Sequence, residues 1–361
     1  MSYYDHFAAL NADQPYGLPA AEKQRLLVAL LNELTAHHVQ HSAPYAKIVA
    51  SLALPAVAQR VEEVPFIPVR LFKHLDLLSV PRAEVFKTLT SSGTSGQAVS
   101  RIYLDRENAA MQTRVLGAIV AGFLGKQRRP MVVVDADNLL ADRRQFNARA
   151  AGVLGFSVYG KEHAYALDAG MALKLEMLEA YCDQHRARGI YAFGFTFVVW
   201  KFLCQALERR GSRLDFGPDS ILIHGGGWKK LTEESVSNEV FKATLLERAG
   251  LRRVHNYYGM VEQTGSIYME CEHGHLHASN YADVIVRDPI SFKPAAVGEQ
   301  GVLQVLSLLP RSYPGHSLLT EDVGVLLGED DCPCGRMGKY FHVQGRMQSA
   351  EVRGCSDVRQ F

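Results

Sequence analysis

Between Thr90 and Gly96 the chain reads Thr90-Ser91-Ser92-Gly93-Thr94-Ser95-Gly96, hydroxyl residues and glycines only. Glycines let backbone N–H groups turn toward an anion, and hydroxyls add donors that can follow phosphate oxygens. No Gly-Lys-Ser/Thr follows, so this is not a Walker loop. A flexible linker shares the composition, but this run interrupts patterned sequence on both sides, where compact domains rarely leave disorder. Its expected work is phosphate binding.

Soft metal ligands form a second group. Cys271 and His277 flank Glu272-His273-Gly274-His275-Leu276, and Cys332-Pro333-Cys334-Gly335 follows about 55 residues later. Two pairs with short internal spacings suit a tetrahedral, structural Zn²⁺. His273 or His275 can replace His277, since strand phase alone excludes neither. A closed site keeps no open coordination position, so the metal is not assigned to catalysis. Cys182 and Cys204 instead fall on helical apolar spacing and read as core thiols. Cys355 lies near the C-terminus in Arg353-Gly354-Cys355-Ser356, where glycine adds freedom and Arg353 and Arg359 favour the thiolate. A mobile nucleophile of this kind suits self-acylation.

These groups need a scaffold. The 361 residues are 47% hydrophobic and 21% charged, an ordinary globular composition able to bury a sizeable core. Lys+Arg 39 against Asp+Glu 38 leaves a formal charge of +1, so no whole-chain field draws it to nucleic acid or an anionic membrane. The stretch from Val115 to Leu124 is too short to span a bilayer, and Met1 to Leu18 has no leader pattern; a cytoplasmic protein is expected.

Apolar spacing predicts a helix from Ala20 to His37, and Asp105 can cap another running through Leu124. Strands are then expected at Met131 to Val134, Ile190 to Phe193, Ser220 to Ile223 and Arg253 to Tyr257, with helices over 171–188, 196–210 and 231–249. Such alternation gives an α/β fold with a mostly parallel sheet flanked by helices. Beyond about Asp283 the texture changes to strands and turns, including Val302 to Leu308 and Val323 to Leu327, a smaller β-rich lobe. The expected organisation is a core over 1–344, with that lobe at about 283–344, and a short tail over 345–361 carrying Cys355.

Ser91 to Gly96 resembles the phosphate-binding signature of the adenylate-forming superfamily, and His255-Asn256-Tyr257-Tyr258-Gly259-Met260-Val261-Glu262 resembles its second signature. The likeness is nearest to bacterial acyl-protein synthetases of the LuxE type, with phenylacetate-CoA ligases next. Val64 to Val69 with Leu71-Phe72-Lys73, the Ile223 to Lys230 stretch and Arg353 to Ser356 also resemble that pattern. The resemblance implies an adenylate-forming core without the usual mobile C-terminal domain.

It further implies an ATP site. Ser92, Thr94 and Ser95, within the loop of Ser91, Gly93 and Gly96, would embrace the β- and γ-phosphates; Glu262 would hold Mg²⁺; Asp322 would accept from the ribose hydroxyls, with Arg346 nearby. Gly225-Gly226-Gly227 follows a predicted strand and can bring backbone close to adenine, with Tyr257 and Tyr258, beside Gly259, as stacking or core tyrosines. Acid-pocket residues are expected from Phe193 to Trp200 and at Trp228. In LuxE-type enzymes a cysteine in the terminal motif takes the acyl group, which points to Cys355. Phenylacetate-CoA-ligase-like relatives carry a similar arrangement to Cys271, His277, Cys332 and Cys334. Lys230, with Lys229, is the candidate catalytic cation.

The expected reaction turns a fatty or other carboxylic acid and ATP into acyl-AMP and pyrophosphate. A thioester on Cys355 and transfer to a partner such as an acyl reductase follow. Two alternatives stand beside it: a ligase passing the adenylate to CoA or a carrier protein, and a non-catalytic acyl- or nucleotide-binding subunit.

Overall fold

A computed structural model describes residues 3–10, 13–52, 57–91, 99–139, 148–228 and 234–347. The chain opens with helices α1 (Ala20–His41) and α2 (Ala43–Ser51). Leu27, Leu30, Leu31, Leu34 and His38 are all buried along one stripe of α1, which carries the predicted helix one turn beyond His37. A two-residue strand, β1 (Ile67–Pro68), precedes a hairpin of β2 (Lys87–Thr90) and β3 (Arg101–Leu104). Helix α3 (Arg106–Leu124) starts where expected, because the Asp105 carboxylate accepts from Asn108 N at 2.7 Å.

Alternation then builds the parallel half. The elements are β4 (Arg129–Ala136), α4 (Ala148–Ser157), β5 (Gly160–Leu167), α5 (Leu175–His185), β6 (Tyr191–Phe195), α6 (Thr196–Val198), a π-wound turn Val199–Cys204, α7 (Gln205–Arg210), β7 (Ile221–Gly225), α8 (Asn238–Ala249) and β8 (Arg253–Tyr258). Their strands lie side by side in the order β5-β4-β6-β7-β8, all parallel. Strands β6 and β7 are buried along their whole length, as a sheet covered on both faces requires.

At β8 the sheet changes direction. Its far edge pairs antiparallel with β9 (Tyr268–Glu270), and the ladder continues through β10 (Leu276–His277), β14 (Lys339–Arg346), β13 (Ser317–Glu329), β12 (Gln300–Ser307) and β11 (Ala282–Arg287). Strand β1 pairs parallel with Leu318 and Leu319 of β13. Among the described residues this is one sheet of 12 strands. One apolar cluster lies between the parallel half and its helices, and a second lies under the antiparallel half. No described helix is long and apolar enough to cross a membrane.

Two helices start later than their patterns suggest, for local reasons. Helix α5 begins at Leu175 because the Asp168 carboxylate accepts from Gly170 N and Ala172 N, both at 2.9 Å, holding the preceding residues in a turn. Helix α8 begins at Asn238, after Ser237 caps it by accepting from Val240 N at 3.3 Å.

The two halves are tied by Asn108, buried in the first turn of α3. Its side-chain N–H donates to Leu309 O at 2.9 Å, while its carbonyl accepts from Arg311 N at 3.1 Å, Ser312 N at 3.2 Å and Ser312 Oγ at 2.9 Å. Replacing it leaves several buried polar groups unpaired, each costing on the order of 1–3 kcal/mol. Asn108→Ala is therefore predicted to destabilise the protein by about 3 kcal/mol or more, read as a lower urea midpoint. A midpoint equal to the parent's would remove Asn108 from this role.

Candidate active site

Parallel strands β7 and β8 end side by side, with Gly225 in register with Tyr257. A Cβ on Gly225 would sit 2.5 Å from Tyr257 Cε1, so the tyrosine ring lies directly against the glycine backbone. Gly226 has φ +84°, and a Cβ there would meet Phe195 Cδ1 at 2.5 Å. The glycine run thus admits one ring from each neighbouring strand. Tyr257 also packs on Phe156, with centroids 5.0 Å apart, while Trp200 and Trp228 gather around Phe241. Open α/β sheets bind ligands at such carboxyl ends.

Beyond Tyr258 the chain passes Gly259 and makes one 3-10 turn, Val261–Gln263, which carries Glu262. Glu262 is buried, and burial pushes its carboxyl above the usual range; the nearby Ser100 hydroxyl and the charges of Lys73 and Arg346 oppose that push. Ser100 also closes the base of the hydroxyl-rich loop. Its N–H donates to Ser91 Oγ at 2.9 Å, and Ser91 N donates to Ser100 O at 3.2 Å. Ser92, Gly93, Thr94, Ser95 and Gly96 lie outside the described residues, as do Lys229, Lys230 and Cys355.

Asp322 completes the group from the antiparallel half. Tyr258 OH donates to its carboxylate at 2.6 Å, and Arg346 Nε, across the β13–β14 register, donates at 3.3 Å. Tyr258 is therefore committed to Asp322 by its hydroxyl, a role its place in the motif did not announce. Next to it, Arg70 Nε donates to Glu321 at 2.9 Å, and β1 seats the Val64 to Val69 motif against β13. Ser91, Gly225, Gly226, Gly227, Tyr257, Tyr258, Gly259, Glu262, Asp322 and Arg346 thus lie along one continuous run of contacts and chain. Ser100 was missed in the sequence because a lone serine after an alanine-valine pair carries no spacing signal.

The soft ligands converge elsewhere. Ligand atoms of Cys271, His277, Cys332 and Cys334 all lie within 4.8 Å of one another. Cys271 sits on the turn between β9 and β10, where Gly274 N donates to Cys271 O at 3.0 Å, and Cys332 and Cys334 sit on the β13–β14 turn, where Gly335 N donates to Cys332 O at 3.0 Å. The Cys271 and Cys332 sulfurs are 4.0 Å apart and Cys334 Sγ is 3.3 Å from His277 Nε2. Tetrahedral zinc with bonds of about 2.3 Å to sulfur and 2.0 Å to nitrogen sets edges of roughly 3.5–3.8 Å, so the four residues fit that ion. His275 Nδ1 also lies 3.3 Å from Cys332 Sγ, at the rim of the group.

Residues 6–360 match the family model described as acyl-protein synthetase, LuxE. The chain is 23% identical over 345 residues to the long-chain-fatty-acid--luciferin-component ligase of Vibrio harveyi, covering 93% of this chain and 87% of that protein. With its counterpart from Aliivibrio fischeri it shares 21% over 342 residues, covering 93% and 88%. Its fold is that of an adenylate-forming ligase: a crystal structure of 2-hydroxyisobutyryl-CoA ligase in an open conformation superposes with a TM-score of 0.68 at 17% identity, over 93% of this chain and 77% of the other. The chain belongs to the LuxE family of acyl-protein synthetases.

Proposed function

We propose that this acid ligase activates a fatty acid with ATP and carries the product as a thioester on Cys355 before giving it to a partner protein. What carries the reading is the linkage at the carboxyl ends of β7 and β8. There the base of the hydroxyl-rich loop stands beside buried Glu262, and Tyr258 holds Asp322 with Arg346. A phosphate-binding loop, a buried carboxylate and an acceptor for ribose hydroxyls are the parts an ATP site needs.

In the proposed first step the carboxylate of the acid attacks the α-phosphorus of ATP. The bond to the bridging oxygen breaks and pyrophosphate leaves with its electron pair. Two anions must approach, so charge has to be offset. Glu262 would hold Mg²⁺, whose positive charge would offset that of the phosphates, and Lys230 is proposed as a further cation at the α-phosphate. Ser92, Thr94 and Ser95 would donate to the β- and γ-phosphates, Asp322 would accept from the ribose, and Gly225 to Gly227 would bring backbone to the adenine. In the second step the Cys355 thiolate attacks the acyl carbon and AMP departs; a nucleophile on the partner, such as an acyl reductase, then takes the acyl group. ATP consumption is consistent with a place in the cytoplasm.

We assign structural Zn²⁺ to Cys271, His277, Cys332 and Cys334, where it would cross-link the β9–β10 and β13–β14 turns. The ligand set has no substrate-facing role in this scheme.

Incubation with labelled fatty acid and ATP is predicted to leave hydroxylamine-sensitive label on the protein, absent from Cys355→Ala. Label persisting in Cys355→Ala would remove the thioester from this residue, and turnover of that variant with CoA would favour a free-thiol acceptor instead.

The metal assignment predicts about one zinc per chain. Cys332→Ser and Cys334→Ser should each lose the metal and melt earlier; folded wild-type protein free of zinc would refute the site.

A further inference from the structure

Glu262 stands on a single 3-10 turn, too short to fix its own backbone. The atoms that fix it come from about fifty residues downstream. The buried Tyr313 hydroxyl donates to the Glu262 carbonyl oxygen at 3.0 Å. In return, Gln263 Nε2 donates to Gly315 O at 2.9 Å and to Val305 O at 3.0 Å. Gly315 N donates to Tyr313 O at 2.8 Å, the i→i+2 bond of a γ-turn centred on Pro314.

There is no slack in this turn. A Cβ at Gly315 would lie 2.3 Å from Tyr313 Cε2 and 2.8 Å from Glu262 O. Both ends of the segment are anchored as well. Ser312 Oγ lies 2.8 Å from Tyr103 O and 2.9 Å from Asn108 Oδ1, which share its one proton, while His316 Nε2 lies 3.0 Å from Thr35 Oγ1 and His316 O accepts from Ser307 N at 2.9 Å. Helices α1 and α3 thereby hold the strap that holds the glutamate.

We propose that Tyr313 and Gly315 are positioning residues for Glu262: they set where its carboxylate stands without themselves touching substrate. The inference rests on the reading of Glu262 as the cation-holding group. A displacement of about 1 Å in such a group can cost on the order of a hundredfold in rate. A separate element that clamps the backbone from behind limits that displacement.

The test is the Mg²⁺ dependence of acid-dependent pyrophosphate release in wild type, Tyr313→Phe and Glu262→Gln. Tyr313→Phe keeps the ring and deletes one hydrogen bond. It is expected to raise the Mg²⁺ concentration for half-maximal rate about tenfold, with KM for the acid unchanged. A purely structural tyrosine would lower the melting temperature and leave the Mg²⁺ titration where it is, which overturns the proposal. If Glu262→Gln leaves the Mg²⁺ titration unaltered, the reading of Glu262 falls first. If Glu262→Gln abolishes the response while Tyr313→Phe titrates like wild type, only the positioning role falls. Should Tyr313→Phe fail to fold, Gln263→Met, which cuts the other tie to Gly315, is read in the same way.

Discussion

Strand β8 is the constraint on which the rest of the structure turns. On one edge it runs parallel to β7, and on the other it pairs antiparallel with β9, so two sheet halves of opposite habit meet along a single strand. A parallel half gathers loops at the carboxyl ends of its strands. The antiparallel half brings β13 and β14 back to the same place, where Tyr258 at the end of β8 bonds to Asp322. Remove that crossover and the loop base, Glu262 and Asp322 belong to different parts of the molecule.

The antiparallel half is not loosely appended. Buried Lys23 of α1 donates to Ala278 O at 3.0 Å, Lys339 of β14 pairs with Asp283 at 2.9 Å, and the Arg336 guanidinium lies 4.5 Å from the Phe123 ring centroid. Ala278 and Arg336 lie within two residues of His277 and Cys334, so two of these contacts border the cysteine and histidine group. Lys339 is paired with Asp283 and Arg336 with Glu272 at 2.8 Å, which makes the burial of those two charges tolerable. A metal there would complete a network that already ties the lobe to α1 and α3.

Much of this was legible in the sequence, and the reasons differ by element. Strands β4, β6 and β7 are nearly continuous apolar runs because both faces are covered, and Asp105 caps α3 as its residue type suggests. Strand β5 escaped notice because Lys161, Glu162 and His163 sit exposed in its first half. Strands β9 and β10 have too few residues for a period-2 pattern to emerge, and β14 is exposed over its last residues. The glycine run, Glu262, Asp322 and the clustered cysteine and histidine residues could be named from motifs. Ser100, Tyr313 and Gly315 could not, since their work is done through long-range contacts that no local spacing records.

Glu262 shows why a family motif and a folded site are different kinds of statement. The motif names the residue, but burial raises the cost of its charge, and the surroundings determine whether the carboxylate can serve. The central claim, that these elements form an acid-activating ATP site, is tested most directly by ATP–pyrophosphate exchange across a panel of carboxylic acids. Exchange should appear only when an acid is present and vanish in Glu262→Gln. Exchange absent with every acid, or retained in full by Glu262→Gln, would contradict it.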